Sequence, residues 1–512
     1  MSGFVIGERP VTIHDVAAAS RGGVRVEAAR ALRDRMGRAR RILDAHLASD
    51  IPIYGLNTGL GANTGHRMTA KEAASAQASL VRARLAAVGA PLSVEICRAA
   101  LFCRLSGLAQ GGAGVSLPAF DHLSDMLAGD VIPVIRSAGS TGASDLVQTM
   151  AIAAAVVGEG HIYRNGRVVS ARLALRSAGL QPLKLEPKDG LSIGAASSVS
   201  YAMAALALVE VETVLALHGA VAALACQGFD ANPHLFDEHV AAARPSAMQA
   251  EAAALFRTAL RGGNFFDRKA NRVQDPISFR ALPHVTGVLL AAVAEAKREL
   301  EVELNSAGDN PLVQIDQGLV RPSANFLTTS LSVAFDKLAI AVAHLAAASV
   351  QRSIKMMTGR LSGLPNYLSP EGGASAGFVP IQKSLAALQA DIRLKANPAS
   401  LDTVVVSDMV EDIGSNAGLA VAKLTQQLEP MRWLLSIEAM VAAQAVDLRR
   451  STDPGLALGA APRLVFETVR RAAPKLVKDR APGPDAAGVH RVLWEAESVN
   501  AIRSALFPFD AD

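Results

Sequence analysis

The sequence is poor in aromatic residues and in charge. Aromatic side chains make up 4% of the 512 residues and charged side chains 19%, while half of the residues are apolar. β-Sandwich cores and nucleic-acid stacking surfaces both draw on aromatic side chains, so their scarcity counts against these two classes. The apolar residues are mainly aliphatic, which favours close helix packing. A charge deficit in a chain of this length also indicates surface that is buried between subunits.

The charges that are present nearly cancel. There are 51 Lys and Arg against 47 Asp and Glu, without a long basic run, so nucleic acid is not an expected partner. The three cysteines lack C-x-x-C spacing, which fits a reducing cytoplasm and argues against a metal site built on them. The N-terminus has no signal-peptide pattern. The most apolar long stretch, 202–226, contains two glutamates and a histidine, so no membrane span is expected.

Long helical patterns dominate the second part of the chain. After Asn325, apolar residues recur in alternating steps of four and three from Leu331 to Leu345, which predicts a helix of about thirty residues. Two more long helices are predicted over 284–304 and 417–450. These patterns are typical of a helical bundle.

The first 200 residues have a different character. They mix short helical patterns with Gly-rich loops, and Asn165-Gly166 lies between two β-prone runs, which predicts a hairpin within 159–171. We therefore predict a mainly α fold with two parts. Residues 1–200 form a mixed, loop-rich domain that carries the active site, and residues 201–512 form an elongated bundle that serves oligomerisation.

Several loops carry a recognisable series of motifs. The loop SAGSTGASDLVQTM at 137–150, followed by Gly-Glu-Gly at 158–160, resembles the aromatic amino acid ammonia-lyase family. Further segments follow in the family's order: YGLNTGLG at 54–61, AGLQPLKLEPKDGL at 178–191, QDPISFR at 274–280, ELNSAGDNP at 303–311, ANF at 324–326, SGLPNYLSP at 362–370 and VED at 410–412. Because the series covers nearly the whole chain, it indicates homology rather than one shared loop.

The resemblance implies a fold and a reaction. Members of this family, such as histidine ammonia-lyase, are helical homotetramers, and each of their active sites combines residues of three subunits. Their electrophile is a methylidene-imidazolone that forms from an internal Ala-Ser-Gly. The amine of a small amino acid adds to it, a base removes the β-proton, and ammonia leaves to give an α,β-unsaturated acid. The resemblance implies no metal or nucleotide.

The same resemblance assigns roles to individual residues. Tyr54 occupies the position of the catalytic base, and Glu411 that of an acidic residue near the substrate amine. Arg280 matches a carboxylate clamp, a task that suits a planar bidentate donor. Gln274 and Asn325 match polar residues of the substrate pocket. Each of these residue types also has structural uses, as an interfacial phenol, a surface ion pair, a helix-terminal charge or a satisfied amide.

The loop that would form the prosthetic group departs from the family pattern. The family has Ala-Ser-Gly before Asp-Leu, whereas this chain has Ala143-Ser144-Asp145 directly before Leu146. The missing residue is the glycine whose nitrogen would close the ring. With Asp145 in its place, a ring with Ser144 as the methylidene source would form only under strain. The sequence therefore leaves open whether the prosthetic group forms.

Arg84 stands where the family usually has a histidine or phenylalanine that selects the substrate side chain. A buried guanidinium without an anionic partner is costly, so Arg84 is expected to meet an anion. That anion is either a second acidic group on the substrate or, in an empty pocket, Asp145 or Glu411. A pocket tyrosine of the family is Ile277 here, which also argues against an aromatic substrate.

Three functions follow from these observations. The first is ammonia-lyase-like elimination of ammonia from an α-amino acid that is non-aromatic or acidic. The second is a lyase or aminomutase that uses the same scaffold without the prosthetic group. The third is a non-catalytic tetrameric paralogue.

Overall fold

The structure is a computed structural model, and it describes residues 2–49, 51–401, 405–407 and 409–507. The chain divides into two compact units. The first contains the residues up to Val209 together with Glu295–Asp336 and Pro398–Ala422. The second contains Glu210–Ala294, Lys337–Asn397 and the residues from Lys423 onward. The predicted boundary at 200/201 lies close to the first of these transitions, but the chain re-enters the first unit twice. That unit is therefore not continuous in sequence.

Long helices account for much of the chain, as the apolar periodicity predicts. The three predicted long helices are confirmed as Leu282–Leu304, Thr329–Met356 and Ala417–Thr452, and a fourth covers Ser198–Phe229. In the helix after Asn325, the apolar side chains at alternating steps of four and three are fully buried. Burial of that seam explains why an extended helix is stable here.

Shorter helices complete both units. Those of the first unit are Ile13–Ser20, Arg30–Leu47, Ala70–Arg84, Val94–Ala109, Leu117–Ala128, Leu146–Val156, Ala171–Ser177 and Asp189–Gly194, with a 3₁₀ turn at Gly61–Gly65. Those of the second are Glu238–Ala242, Ala247–Leu260, Ile277–Arg280, Gly359–Ser362, Ile381–Lys395, Ala460–Ala472, Pro482–Leu493 and Ala496–Leu506, with 3₁₀ turns at Pro233–Phe236, Phe265–Asp267, Asn366–Leu368 and Gly372–Ala374.

Small sheets occur in the first unit. The predicted hairpin is confirmed: His161–Arg164 pairs antiparallel with Arg167–Ser170 across Asn165-Gly166, whose φ angles of 48° and 72° suit a type I′ turn. The remaining pairings are Ile132–Pro133 with His161–Arg164, Ser2–Ile6 parallel to Val24–Ala28, Val88–Pro91 with Arg136–Ala138, and Leu312–Gln314 with Leu319–Arg321.

Two helical stretches, Asp189–Phe229 and Thr329–Met356, are long and apolar enough to cross a membrane by length and composition. However, 72% and 61% of their most apolar windows are buried inside the structure. This degree of burial is typical of helices that pack within the interior of a protein.

Candidate active site

The loop that carries Tyr54 is fixed by its own side chains. Asn57 accepts a hydrogen bond from the Ile53 amide at 2.7 Å and donates to the Ile51 carbonyl at 2.9 Å. Gly55 has φ +65°, and a Cβ there would collide with Leu191. Because only glycine tolerates both the left-handed backbone and the close approach, this loop can pack on Leu191 and hold Tyr54 in one place.

The Tyr54 hydroxyl has a backbone donor. The Gly61 amide donates a hydrogen bond to the phenol oxygen at 3.2 Å, and the Tyr54 side chain is half-buried. This hydrogen bond fixes the position of the phenol oxygen. Tyr54 therefore has the arrangement that a general base requires.

The loop 140–145 is bonded to the segment that leads into helix Ala417–Thr452. The Ser415 hydroxyl donates to the Gly142 carbonyl at 2.9 Å, and the Asn416 amide donates to the Thr141 carbonyl at 3.0 Å. A Cβ on Gly142, whose φ is +83°, would collide with this segment. These contacts bring the stretch that follows Glu411 against the loop.

Asp145 turns its carboxylate away from the loop surface into the protein. It is fully buried and accepts hydrogen bonds from the Ser140 hydroxyl at 2.7 Å, the Ser200 amide at 2.7 Å and the Ser200 hydroxyl at 3.0 Å. Ser200 lies in the first turn of helix Ser198–Phe229, where a carboxylate satisfies otherwise unpaired amides. Burial raises the pKa of Asp145, and these donors oppose the rise.

Replacing Asp145 with alanine should destabilise the protein by about 2–4 kcal/mol, because the helix loses its capping acceptor and buried donors lose their partner. Asp145→Asn keeps one acceptor oxygen, so its free energy of unfolding should fall by less than that of the alanine variant. Urea unfolding at one fixed protein concentration measures the free energy of unfolding of both variants. An alanine variant as stable as the wild type would contradict the capping role.

Asp145 does not fit the third position of a prosthetic ring. Its backbone amide donates to the Ala196 carbonyl at 2.9 Å, and its carbonyl accepts from the Gln148 and Thr149 amides at 2.9 and 2.8 Å. Ring closure needs that amide nitrogen at the Ala143 carbonyl instead. These backbone hydrogen bonds therefore fix Asp145 as the N-cap residue that precedes helix Leu146–Val156.

The predicted catalytic residues line one cavity of about 600 Å³ in the first unit. Tyr54, Arg84, Ala143, Ser144 and Glu411 all contribute to its wall. Ser144 has φ +66°, a left-handed conformation that is uncommon for serine. A phenol, a carboxylate, a hydroxyl and a guanidinium thus share one cavity, which is the composition of a site for acid–base chemistry.

Arg84 interacts electrostatically with two of these groups. Burial lowers the pKa of Arg84 from its ordinary value, and the charges of Tyr54 and Glu411 partly offset this effect. Of the two carboxylates considered as its partners, Glu411 is therefore the one that acts on it. The Asp145 carboxylate, the other partner considered, accepts hydrogen bonds from Ser140 and Ser200 instead.

Glu411 is fixed by its backbone. It pairs with Val406 through two hydrogen bonds, at 3.0 and 3.3 Å, and Val406 also lines the cavity. This short pairing fixes the backbone of Glu411 in the wall of the cavity that Ser144 also lines.

Gln274 and Arg280 line a different cavity, of about 420 Å³, in the second unit. The Arg280 guanidinium donates a hydrogen bond to the Gln274 side chain, and Arg280 Nε is buried without a partner. Asn325 is exposed and belongs to the first unit, where the nearby Leu327 pairs with Ala143. Of the four predicted substrate-binding residues, Arg84 lines the Tyr54 cavity of its own chain, whereas Gln274, Arg280 and Asn325 do not.

Among the described residues, no group of three or more His, Cys, Asp or Glu side chains is placed to hold a metal ion. Sequence reasoning missed Gly61, Ser140 and Ser200, which act on Tyr54 and Asp145. Gly61 belongs to the recognised 54–61 motif, so that motif could have suggested it. Ser200 gives no local signal, because its contact with Asp145 spans 55 residues.

Comparison with known proteins identifies the family. The model of the aromatic amino acid lyase family matches residues 11–471 of the chain. The chain belongs to the aromatic amino acid lyase family. A histidine ammonia-lyase of Treponema denticola is 33% identical to this lyase over 497 residues, with 97% of each chain covered.

Two solved structures support the same fold. One is the ergothioneine-degrading enzyme ergothionase from Treponema denticola, in complex with desmethyl-ergothioneine sulfonic acid. It has a TM-score of 0.91 and 30% identity and covers 98% of this chain and 99% of that one. The other, tyrosine aminomutase from Streptomyces globisporus, has a TM-score of 0.90 and 27% identity over 98% and 99% of the two chains. The mainly α, histidine ammonia-lyase-like fold is therefore confirmed.

Family membership also settles the reaction class. This lyase cleaves a carbon–nitrogen bond by ammonia-lyase-like elimination, which converts an α-amino acid into an α,β-unsaturated acid with loss of the amine.

Proposed function

We propose that the chain eliminates the α-amine from an N-trimethylated amino acid, a betaine, without a prosthetic ring. The observation that carries this proposal is the position of Asp145. Its amide nitrogen is hydrogen-bonded to the Ala196 carbonyl, and its carboxylate caps helix Ser198–Phe229. Ring closure would require the amide hydrogen bond to be lost while the buried carboxylate holds Asp145 in its present place.

The chemistry of the leaving group explains why such a substrate suits a site without the ring. A free amino group needs an electrophile because ammonia is expelled poorly from an unactivated α-carbon. A quaternary ammonium has no lone pair with which to add to an electrophile, and it already leaves as a neutral tertiary amine. The similar enzyme ergothionase degrades ergothioneine, a compound whose amine is a trimethylammonium group.

In this proposal Tyr54 is the base. Its phenol oxygen, positioned by the Gly61 amide, takes the β-proton, and the C–H electron pair becomes the double bond. The C–N electron pair departs with the amine. Glu411 places a negative charge in the same cavity, where it attracts the cationic amine, and Arg84 receives an anionic group of the substrate.

The remaining predicted residues act, in this proposal, through a homotetramer in the cytoplasm. Gln274 and Arg280 of other copies bind the substrate carboxylate, and Asn325 supports it. The supporting observation is that Arg280 and Gln274 have a cavity of their own, flanked by exposed apolar side chains such as Val273 and Ile277. Exposed apolar residues of this kind are typical of subunit interfaces.

Two measurements test the function. The intact mass of the purified protein should equal that of the unmodified chain, whereas a ring would remove two waters. A panel of betaines and their parent amino acids, followed by ultraviolet absorbance and amine release, should show turnover of a betaine. Turnover confined to a free amino acid, together with the loss of two waters, would overturn the proposal.

Ser144→Ala supplies the matched control. Without a ring, Ser144 contributes only a hydroxyl, so the variant should keep a measurable kcat. With a ring, it would lose the methylidene source and activity should fall to background.

Amine migration is a second candidate, favoured by the similarity to tyrosine aminomutase. Chromatography of the products distinguishes it, because migration yields a β-amino acid. A wild type that turns over nothing in the panel, with Tyr54→Phe indistinguishable from it, would instead support a non-catalytic paralogue.

A further inference from the structure

A second cavity lies in the first unit, next to the active-site cavity. It has a volume of about 270 Å³, and its lining includes Ala87, Arg136, Val147, Ala151 and His161. We call it the annex. Val147 lines both cavities, so its side chain belongs to the wall between them.

That wall is one side chain thick. Gly139 lines the active-site cavity, and a Cβ on it would lie 3.1 Å from Ala87 Cβ and 3.2 Å from Val147 Cγ1. Ala87 and Val147 both line the annex. Since Gly139 has no side chain, the methyl groups of these two residues supply the separation.

The annex follows one face of a helix. Val147 and Ala151 are four residues apart in Leu146–Val156, so their side chains lie on the same face. Arg136 and His161 are exposed and give the annex a basic rim. An apolar cavity of about 150 Å³ is enough for a benzene molecule, so the annex has room for a ring or a short chain.

We propose that Val147 determines substrate specificity by closing the active-site cavity. Its isopropyl group limits the length of the substrate side chain, and the annex is the space that a longer side chain with an anionic end occupies once this group is removed. The part of this inference that concerns turnover rests on the proposed function.

Val147→Ala tests the wall. Two substrates are compared, one with a short side chain and a homologue that a carboxyphenyl group extends. In the variant, kcat/KM for the longer substrate should rise by about tenfold or more relative to kcat/KM for the shorter one. This is the range expected when an apolar pocket is opened. Ala151→Phe fills the annex from the same helix face without touching the active-site cavity. Alone it should leave short-chain turnover unchanged, and combined with Val147→Ala it should cancel the gain.

A binding measurement separates this inference from the proposed function. Calorimetry with 3-(4-carboxyphenyl)propionate, which cannot be eliminated, should show tighter binding by about tenfold in Val147→Ala than in the wild type. Tighter binding that Ala151→Phe cancels supports the annex even if no betaine is turned over. Normal betaine turnover with no change in either selectivity or binding would overturn the role of Val147 and leave the proposed function intact.

Discussion

Tyr54→Phe is expected to lower kcat by about 10²–10⁴-fold, the contribution of a positioned general base. The substitution removes only the phenol oxygen that accepts from the Gly61 amide, and the half-buried ring can keep its packing. Steady-state kinetics with the best substrate of the panel measure the loss. Circular dichroism and the thermal midpoint should stay at wild-type values.

Tyr163→Phe is the matched control. The Tyr163 hydroxyl donates to the Leu92 carbonyl at 2.9 Å and does not line the Tyr54 cavity. This variant therefore loses a phenol oxygen with one hydrogen bond, as Tyr54→Phe does, but should keep its kcat. Equal losses in the two variants, or a Tyr54→Phe enzyme with near wild-type kcat, would remove Tyr54 from the role of base.

The long helices could be predicted because their signal is local. The steps of four and three from Leu331 to Leu345 describe a single apolar face, and that face is buried. The hairpin at Asn165-Gly166 could be predicted equally well, because few residue pairs accept positive φ at both turn positions.

The division into two units is harder to predict from the sequence. The predicted boundary at 200/201 follows a change in pattern, but most of the unit boundaries fall within long helices, for example between Val209 and Glu210 in Ser198–Phe229. Nothing in the periodicity of a helix marks where its packing partners change. For this reason the return of Glu295–Asp336 to the first unit could not be derived from the sequence.

The candidate site was predicted through motif order rather than through geometry. Tyr54, Arg84, Ser144 and Glu411 come from distant parts of the sequence, and the structure brings them into one cavity. What the motifs could not supply is the direction of a side chain. The sequence leaves open whether Asp145 closes a ring or is one of two possible partners of Arg84, and its carboxylate in fact points to helix Ser198–Phe229.

A fully buried ion pair in the second unit gives the largest stability prediction. Arg352 Nε donates to Glu438 at 2.6 Å and its Nη2 donates at 3.0 Å, and both side chains have no exposed surface. The Ser349 hydroxyl donates to the same carboxylate at 2.5 Å. The glutamate therefore has three donors, and the guanidinium has a bidentate partner.

Glu438→Leu should destabilise the protein by about 3–5 kcal/mol, because it leaves the Arg352 charge buried without its partner. Whole domains are stable by only about 5–15 kcal/mol, so the variant should unfold at much lower urea concentration or accumulate as insoluble protein. Arg352→Leu should have a similar effect through the isolated carboxylate. Urea unfolding at fixed protein concentration, followed by circular dichroism, measures both variants.

The double variant Arg352→Leu/Glu438→Leu separates the attraction between the charges from the cost of their burial. Two leucines need no solvation, and the Ser349 hydroxyl can turn to the carbonyl four residues earlier in its helix. The double variant should therefore be much more stable than either single variant, and its free energy of unfolding should approach that of the wild type. Losses that simply add would mean that the pair is not coupled. In that case its place in the core would have to be explained by packing of the side-chain stems rather than by charge.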